Sequence, residues 1–307
     1  MLDDSILDKY RLAGKICAAA AEHARTLVKP GVSARLIVDE IEGFIVERGA
    51  SLSFPVNISL NEVAAHYSPG IIPQDDFALP DEGLLKIDIG THVDGYIADH
   101  AISIDIGETG GLYQKLIEAA SAALDAAVQH FHAGQNVLYI GKLIEDEISS
   151  RGFQPIRNLG GHNLGEYSLH GGIFVPNTPS GTPYTLKAGD VFAVEPFSTN
   201  GKGSVFDGTK KYIFRFAKRA KRRLPERDHN HVELVRKHFN TLPFSPRWLE
   251  GRVRLDSRGI MSMIGGFVAK GIFQAYPVLV EQGRGLVAQA EHTIIVHEDR
   301  GEIMTTP

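Results

Sequence analysis

The sequence predicts an α+β fold with a pseudo-two-fold internal duplication, antiparallel sheets flanked by helices, and a small, mostly helical insertion. Three observations predict it. Apolar alternation leads from Leu84 to Ile89, breaks at Asp94-Gly95 and resumes up to Asp99, the signature of a hairpin whose turn needs positive φ. A helical segment recurs: Gly31, Ser33, Ile37, Ile41, Ile45, Arg48 and Gly49 match Gly134, Asn136, Ile140, Ile144, Ile148, Arg151 and Gly152 at a constant offset, so N-cap, apolar stripe and C-terminal stop are all kept. From about residue 200 the composition turns basic and helical before strands return near the C-terminal end.

In chain order, residues 5–28 are rich in Ala and Leu and stop at Lys29-Pro30-Gly31, as a helix does when it meets residues that cannot continue it. A second helix spans about 33–49. Strands follow from Leu52 through Ile106, then two helices at about 110–132 and 136–151, the duplicate pair. Gly and His crowd into Asn158 to Gly172, where glycine permits close backbone approach. Val191-Phe192-Ala193-Val194-Glu195-Pro196-Phe197 is an apolar strand carrying one carboxylate, and Leu286 to Val296 is another, carrying Glu291. Two helices near 227–240 and 257–270 make the insertion, with Pro243, Pro246 and Trp248 between them. The expected division is 1–199 for the first part of the main domain, 200–272 for a winged-helix-like insertion and 273–307 for the final strands.

The 307 residues, 43% hydrophobic and 22% charged, are ordinary globular composition. A net charge of −5 gives no general reason for nucleic-acid or membrane binding. Cys17 is the only cysteine, which excludes an internal disulfide and a Cys-based metal cluster; among small residues it reads as a buried spacer. No apolar run has transmembrane length, and Met1-Leu2-Asp3-Asp4 lacks a signal-peptide pattern, so a cytoplasmic, membrane-free protein is expected.

Asp88 and Asp99 fall on opposite arms of the hairpin with compatible parity, so both point to one face. Two carboxylates held together in an apolar hairpin repel and lose hydration, and a divalent cation is the economical remedy. Glu195 and Glu291 are carboxylates where burial is expected, and His162 lies in the glycine-rich stretch. Four carboxylates and an imidazole suit Mn, Fe(II), Co or Zn. Two ions sharing bridging carboxylates balance the charge better than one, and such a pair supplies hydrolysis, most plausibly of an amide.

These residues resemble the methionine aminopeptidases of the M24 peptidase family, specifically the archaeal form of type II. The resemblance rests on Asn61-Glu62-Val63-Ala64-Ala65-His66-Tyr67-Ser68-Pro69, Lys86-Ile87-Asp88-Ile89-Gly90 with Ala98-Asp99, Gly161-His162-Asn163-Leu164-Gly165-Glu166-Tyr167, Ala193 to Phe197, and Ala288 to Ile294. It covers nearly the whole chain and implies the pita-bread fold, with removal of the N-terminal methionine from nascent polypeptides. It also implies two divalent ions, with Asp88 chelating one, Asp99 and Glu291 bridging both, and His162 and Glu195 holding the second. Glu195 would also pass protons. His66 and His170 would hydrogen-bond the substrate's peptide group, and Phe54 and Tyr276 would line the methionine pocket. The segment Gly208-Thr209-Lys210-Lys211-Tyr212 lacks a histidine that some eukaryotic members carry, which bears on pocket specificity.

His23, His130, His132, His229, His231 and His238 lie in helical contexts and read as structural, and His292 should face away from Glu291. His92, near the turn, and His100, beside Asp99, match no site position of the family. The basic run at 215–223 reads as a solvated face or a ribosome contact. A monomer is expected. Two other functions fit parts of the pattern: a proline-specific pita-bread peptidase, whose usual architecture adds an N-terminal domain, and a non-catalytic ribosome- or RNA-binding relative, which should lose metal ligands that are intact here.

Overall fold

The computed structural model describes residues 2–217 and 225–306. The cationic positions Lys218, Arg219, Lys221, Arg222 and Arg223 of the basic run lie outside the described residues; Arg215 lies within them.

Helix α1 (Asp4–Leu27) starts where the Asp3 carboxylate accepts from the Ser5 N–H and ends before Pro30. Its buried face is small: Ala13, Cys17, Ala20, Ala21 and Ala24. That lets the helix lie close on strands β4 and β5, introduced below. Helix α2 (Ala34–Glu47) is capped by Ser33 and buries Ile37, Ile41 and Ile45. Strands β1 (Ser51–Leu52), β2 (Asn57–Leu60) and β3 (Val63–Ala65) lead to β4 (Gly83–Val93) and β5 (Tyr96–Ile106). The turn between the last two places Asp94 at φ 50° and Gly95 at φ 89°, as the Asp-Gly pair requires. β1 and β2 pair along one edge of β4 and β5 along the other.

Helices α3 (Leu112–Gln129) and α4 (Val137–Ser150) repeat the first pair. Asn136 caps α4 as Ser33 caps α2. Arg48 and Arg151 end their helices at φ,ψ of −91°, 5° and −90°, 4°, each followed by a positive-φ glycine, Gly49 at 85° and Gly152 at 82°. The Gly31 N–H donates to Leu79 O at 2.8 Å, and Gly134 repeats this to Leu186 O at 2.9 Å. The duplication read from the helices therefore extends to the loops that dock them.

The second half continues through β6 (Gln154–Pro155), β7 (Gly160–Asn163), β8 (Phe174–Pro176), β9 (Val191–Val194), β10 (Phe197–Thr199) and β11 (Val205–Phe216). Helices α5 (Glu226–Phe239) and α6 (Ser257–Ala269) follow, then β12 (Phe273–Glu281), β13 (Val287–Gln289), β14 (His292–Val296) and β15 (Gly301–Ile303). Besides the β1/β2/β4/β5 sheet, three further sheets form among the described residues, in the orders β13-β10-β6, β11-β12-β3 and β15-β14-β9-β7-β8. Helices and antiparallel sheets in two related halves are the pita-bread fold expected.

Both apolar runs that carry glutamates are broken at the glutamate. Pro196 has no N–H to give a ladder, so β9 ends at Val194 and β10 begins at Phe197. The opposite strand breaks in the same place, between Gln289 and His292. β9 pairs β14 and β10 pairs β13, so Glu195 and Glu291 stand side by side where the chain passes from one sheet to the other.

The helical unit has its own core of Phe214, Val235, Phe244, Ile260, Ile264, Phe267 and Phe273. It is tied to α2 by Arg247, 6% exposed. The Arg247 guanidinium donates from Nη2 to Glu42 Oε1 at 2.9 Å, from Nη1 to Asp39 at 2.9 Å and from Nε to the Pro69 carbonyl at 2.9 Å. Among the described residues no helix is long and apolar enough to cross a membrane.

Candidate active site

β4 and β5 pair with Asp88 opposite Ala101 and Gly90 opposite Asp99. Paired residues share a face, so both carboxylates leave the hairpin on one side. Gly90 keeps room beside Asp99: a Cβ there would lie 2.2 Å from the Phe54 ring and from Ser53 Oγ. The other half is fastened to this face by buried polar bonds. The Asp99 N–H donates to Thr293 Oγ1 at 2.7 Å, and that hydroxyl donates back to Asp99 O at 2.9 Å. The Glu291 N–H donates to Ala101 O at 3.2 Å. Ser103 Oγ donates to Gln289 O at 2.7 Å and accepts from its N–H at 2.8 Å. The strand break holding Glu195 and Glu291 is thereby pressed against the hairpin.

His162, on β7, completes the cluster. Its Nε2 lies 3.7 Å from Asp99 Oδ2 and 3.7 Å from Glu195 Oε1. Asp99, His162 and Glu291 each offer a ligand atom within 4.8 Å of the others. Gln289, which sequence reasoning did not single out, donates its amide to Glu195 Oε2 at 3.2 Å and to Glu291 Oε2 at 3.4 Å. It lies two residues before Glu291, on the same face, and that spacing was its available signal.

Burial raises the Asp88 carboxyl to about 7. Burial first, then the neighbouring carboxylates, push Asp99 and Glu291 well above the ordinary carboxylate range, and burial with the Asp88 charge does the same for Glu195. Burial pulls His162 down to about 4, so its ring is neutral at pH 7 and free to ligate. Lys86 lies on the same face two residues before Asp88 but does not compensate: its Nζ donates to Asn61 O at 2.7 Å, and burial lowers its pKa far below the usual lysine range. Asp88 Oδ1, Asp99 Oδ1 and Glu291 Oε1 are buried with no hydrogen-bond partner. Buried acceptors of that kind, with a neutral imidazole beside them, fit divalent cations.

All nine residues singled out in the sequence line one cavity of about 230 Å³: Phe54, His66, Asp88, Asp99, His162, His170, Glu195, Tyr276 and Glu291. The His162 and His170 rings lie 4.2 Å apart, and the Tyr276 ring lies 5.2 Å from His66 and 6.3 Å from His170. His66, in the left-handed region at φ 66°, directs Nδ1 to the Pro277 carbonyl at 3.1 Å. A carbonyl only accepts, so Nδ1 carries the proton and Nε2 the lone pair. Leu169, Phe174, Phe197, Ile213, Pro243 and Asn57 also line the wall. The four apolar side chains and Pro243 carry no pattern that separates them from core residues. Asn57 is a polar residue between Val56 and Ile58 and could have been noticed.

His292 turns away as expected. It stacks on His100 at 5.0 Å in a separate groove behind the strands, where His100 Nδ1 donates to Glu291 O at 2.5 Å.

Buried carboxylates, a neutral histidine and an apolar pocket at the junction of two duplicated halves define a metallopeptidase, and the chain belongs to metallopeptidase family M24, whose model matches residues 8–298. Over nearly its whole length it is similar to proteins described as methionine aminopeptidases. It is 43% identical to that of Pyrococcus abyssi over 302 residues, 98% of this chain and 99% of the relative. It is 40% identical to that of Saccharolobus solfataricus over 294 residues, 95% of each. In fold it is similar to a thermophilic Arx1, with a TM-score of 0.88 at 17% identity, covering all of this chain and 92% of the other.

Proposed function

We propose that this chain removes the N-terminal methionine from nascent proteins and peptides, as a type II methionine aminopeptidase of the archaeal form. The observation that carries the reading is the convergence of five ligand-type side chains and four pocket residues on one cavity, in a chain about 40% identical to methionine aminopeptidases over its full length. Intact ligands and pocket separate it from a non-catalytic relative. The helical unit between β11 and β12 supports the type II assignment, and we assign residues 200–272 to that insertion.

Asp88, Asp99, His162, Glu195 and Glu291 would hold two divalent ions. Such a pair supplies Lewis acidity to the scissile carbonyl and acidifies a water. Glu195 would take the proton from the attacking water and return it to the leaving amine; the Gln289 amide fixes its carboxyl. His66 and His170, which line the same cavity, would hydrogen-bond the substrate's peptide group. Phe54, Leu169 and Tyr276 receive the methionine side chain, and a cavity of about 230 Å³ has room for one such chain rather than a folded segment. Mn, Co, Fe(II) and Zn all suit the donor set. We place the enzyme in the cytoplasm as a monomer, and its basic run 215–223 as a ribosome contact.

The test supplies metal-stripped protein with Mn, Co, Fe(II) or Zn and follows two peptides, Met-Ala-Ser and Ala-Pro-Ala. The reading predicts free methionine from the first and no cleavage of the second. Cleavage of Ala-Pro-Ala alone would make it a proline-specific peptidase, and no product with any metal would overturn the enzymatic reading.

A further inference from the structure

Asn57 is 3% exposed and lines the cavity, yet none of the roles above uses it. Its position is fixed by the sheet: β2 pairs β4 with Asn57 directly opposite Asp88, so the two side chains rise on the same face with Cβ atoms about 5 Å apart. Its orientation is fixed too. Nδ2 donates to the Pro55 carbonyl at 2.9 Å, and because Pro55 O can only accept, the amide cannot be turned round. Oδ1 is therefore the free atom, and it is buried without a partner. Its cross-strand neighbour, Asp88 Oδ1, is also buried without one. With Asp88 assigned to the metal, the Asn57 oxygen is a buried acceptor on the wall of a substrate cavity that still lacks a donor, and its place across the strand pair from a carboxylate suits a donor that carries several N–H bonds and charge.

A substrate cut after its first residue brings one such group into the cavity, its α-amine. We propose that Asn57 is a specificity residue that accepts a hydrogen bond from the free α-amino group of the substrate, so that a chain terminus is read by an amide oxygen beside Asp88. The inference rests on the function proposed above. It accounts for a polar residue in the apolar run Val56-Asn57-Ile58, where a leucine or valine would otherwise suit the strand. It also supplies a check for an N-terminus that a carboxylate alone does not give, since Oδ1 has no charge and rewards a donor rather than any cation.

The experiment uses Mn-loaded protein, wild type and the near-isosteric Asn57→Leu, with Asn57→Ala as a second variant. Calorimetry measures the Kd of methionine and of 4-(methylsulfanyl)butanoic acid, which differs from methionine only in lacking the amine. Bound Mn per chain is measured in each protein, and release of methionine from Met-Ala-Ser in the wild type. Loss of one hydrogen bond to a charged amine predicts about a tenfold weaker methionine Kd in both variants. The desamino ligand should change by less than about twofold, and the Mn content should not change. Equal changes for the two ligands, or no change for either, would overturn the proposal, as would a loss of Mn, which would make Oδ1 a metal ligand. A wild type that binds methionine but releases none from Met-Ala-Ser would overturn the proposed function while leaving the Asn57 comparison to be judged by binding. A wild type that binds neither ligand would overturn both.

Discussion

Replacing Arg247 by Met should destabilise the protein through one buried carboxylate. The Arg247 side chain is 3% exposed and that of Glu42 is 9% exposed. Removing the guanidinium leaves Glu42 charged and buried, which typically costs about 3–5 kcal/mol. Glu42 keeps two neutral donors, the Trp248 indole at 2.8 Å and the Val56 N–H at 3.3 Å, so the lower end, about 3 kcal/mol, applies. At about 2.1 cal/mol/K per residue, a chain of this length has an unfolding entropy of about 0.65 kcal/mol/K, and the loss becomes a Tm lowered by about 5 °C. Adding Glu42→Gln removes the stranded charge and keeps one acceptor oxygen, for either the Trp248 indole or the Val56 N–H, which bond different oxygens of Glu42, so the double variant should recover about half of the loss. Differential scanning calorimetry of the four proteins closes the cycle. A single variant melting within about 1 °C of wild type, or a double variant showing the plain sum of both single losses, would refute the reasoning.

Two further outcomes follow from the site. Gly90→Ala would set a methyl group 2.2 Å from the Phe54 ring; Phe54 must shift, so KM for Met-Ala-Ser should rise by about tenfold or more while metal content is kept, and an unchanged KM would show that Phe54 does not line the pocket. In metal-stripped protein, stability should fall as pH rises from about 6.5 to 8. Asp88, raised to about 7, and Asp99, Glu195 and Glu291, also raised well above the ordinary carboxylate range, hold protons when folded that they have already released when unfolded. That stability is present at low pH and is lost as pH passes the folded values, at up to about 1.4 kcal/mol per pH unit for each proton. His162, lowered to about 4, and His66, His92, His100 and His292, lowered by burial too, are neutral when folded but still partly protonated when unfolded near pH 6.5, so they oppose the slope at the lower end of this window and drop out above about pH 7.5. Saturating Mn should abolish or reverse the slope, because the ion replaces the protons; a stripped protein whose Tm is flat or rising over this range would contradict the placement of the carboxyls.

Much of this could be read from residues alone because the strongest constraints are local. The Asp94-Gly95 turn sets the hairpin register, and register sets the face of Asp88 and Asp99. The caps Ser33 and Asn136, with the positive-φ glycines after Arg48 and Arg151, mark helix ends to within a few residues. What stayed hidden depends on contacts between distant segments. The apolar runs around Glu195 and Glu291 read as continuous strands, and only pairing of β9 with β14 and β10 with β13 reveals that both break together. Gln289 and Asn57 gain meaning only when the sheets bring them to the carboxylates. Arg247 reads as one cation in a Pro-rich stretch, since its partners Asp39 and Glu42 lie over 200 residues away.

The most direct test of the central claim is a titration of Mn into metal-stripped protein, wild type and Glu195→Gln, following bound metal and methionine released from Met-Ala-Ser in the same samples. In the wild type, release should be absent without metal and rise with occupancy. In Glu195→Gln it should fall by at least about a hundredfold at equal occupancy. Methionine release from the stripped protein, or a Glu195→Gln variant as active as wild type when loaded, would contradict the account.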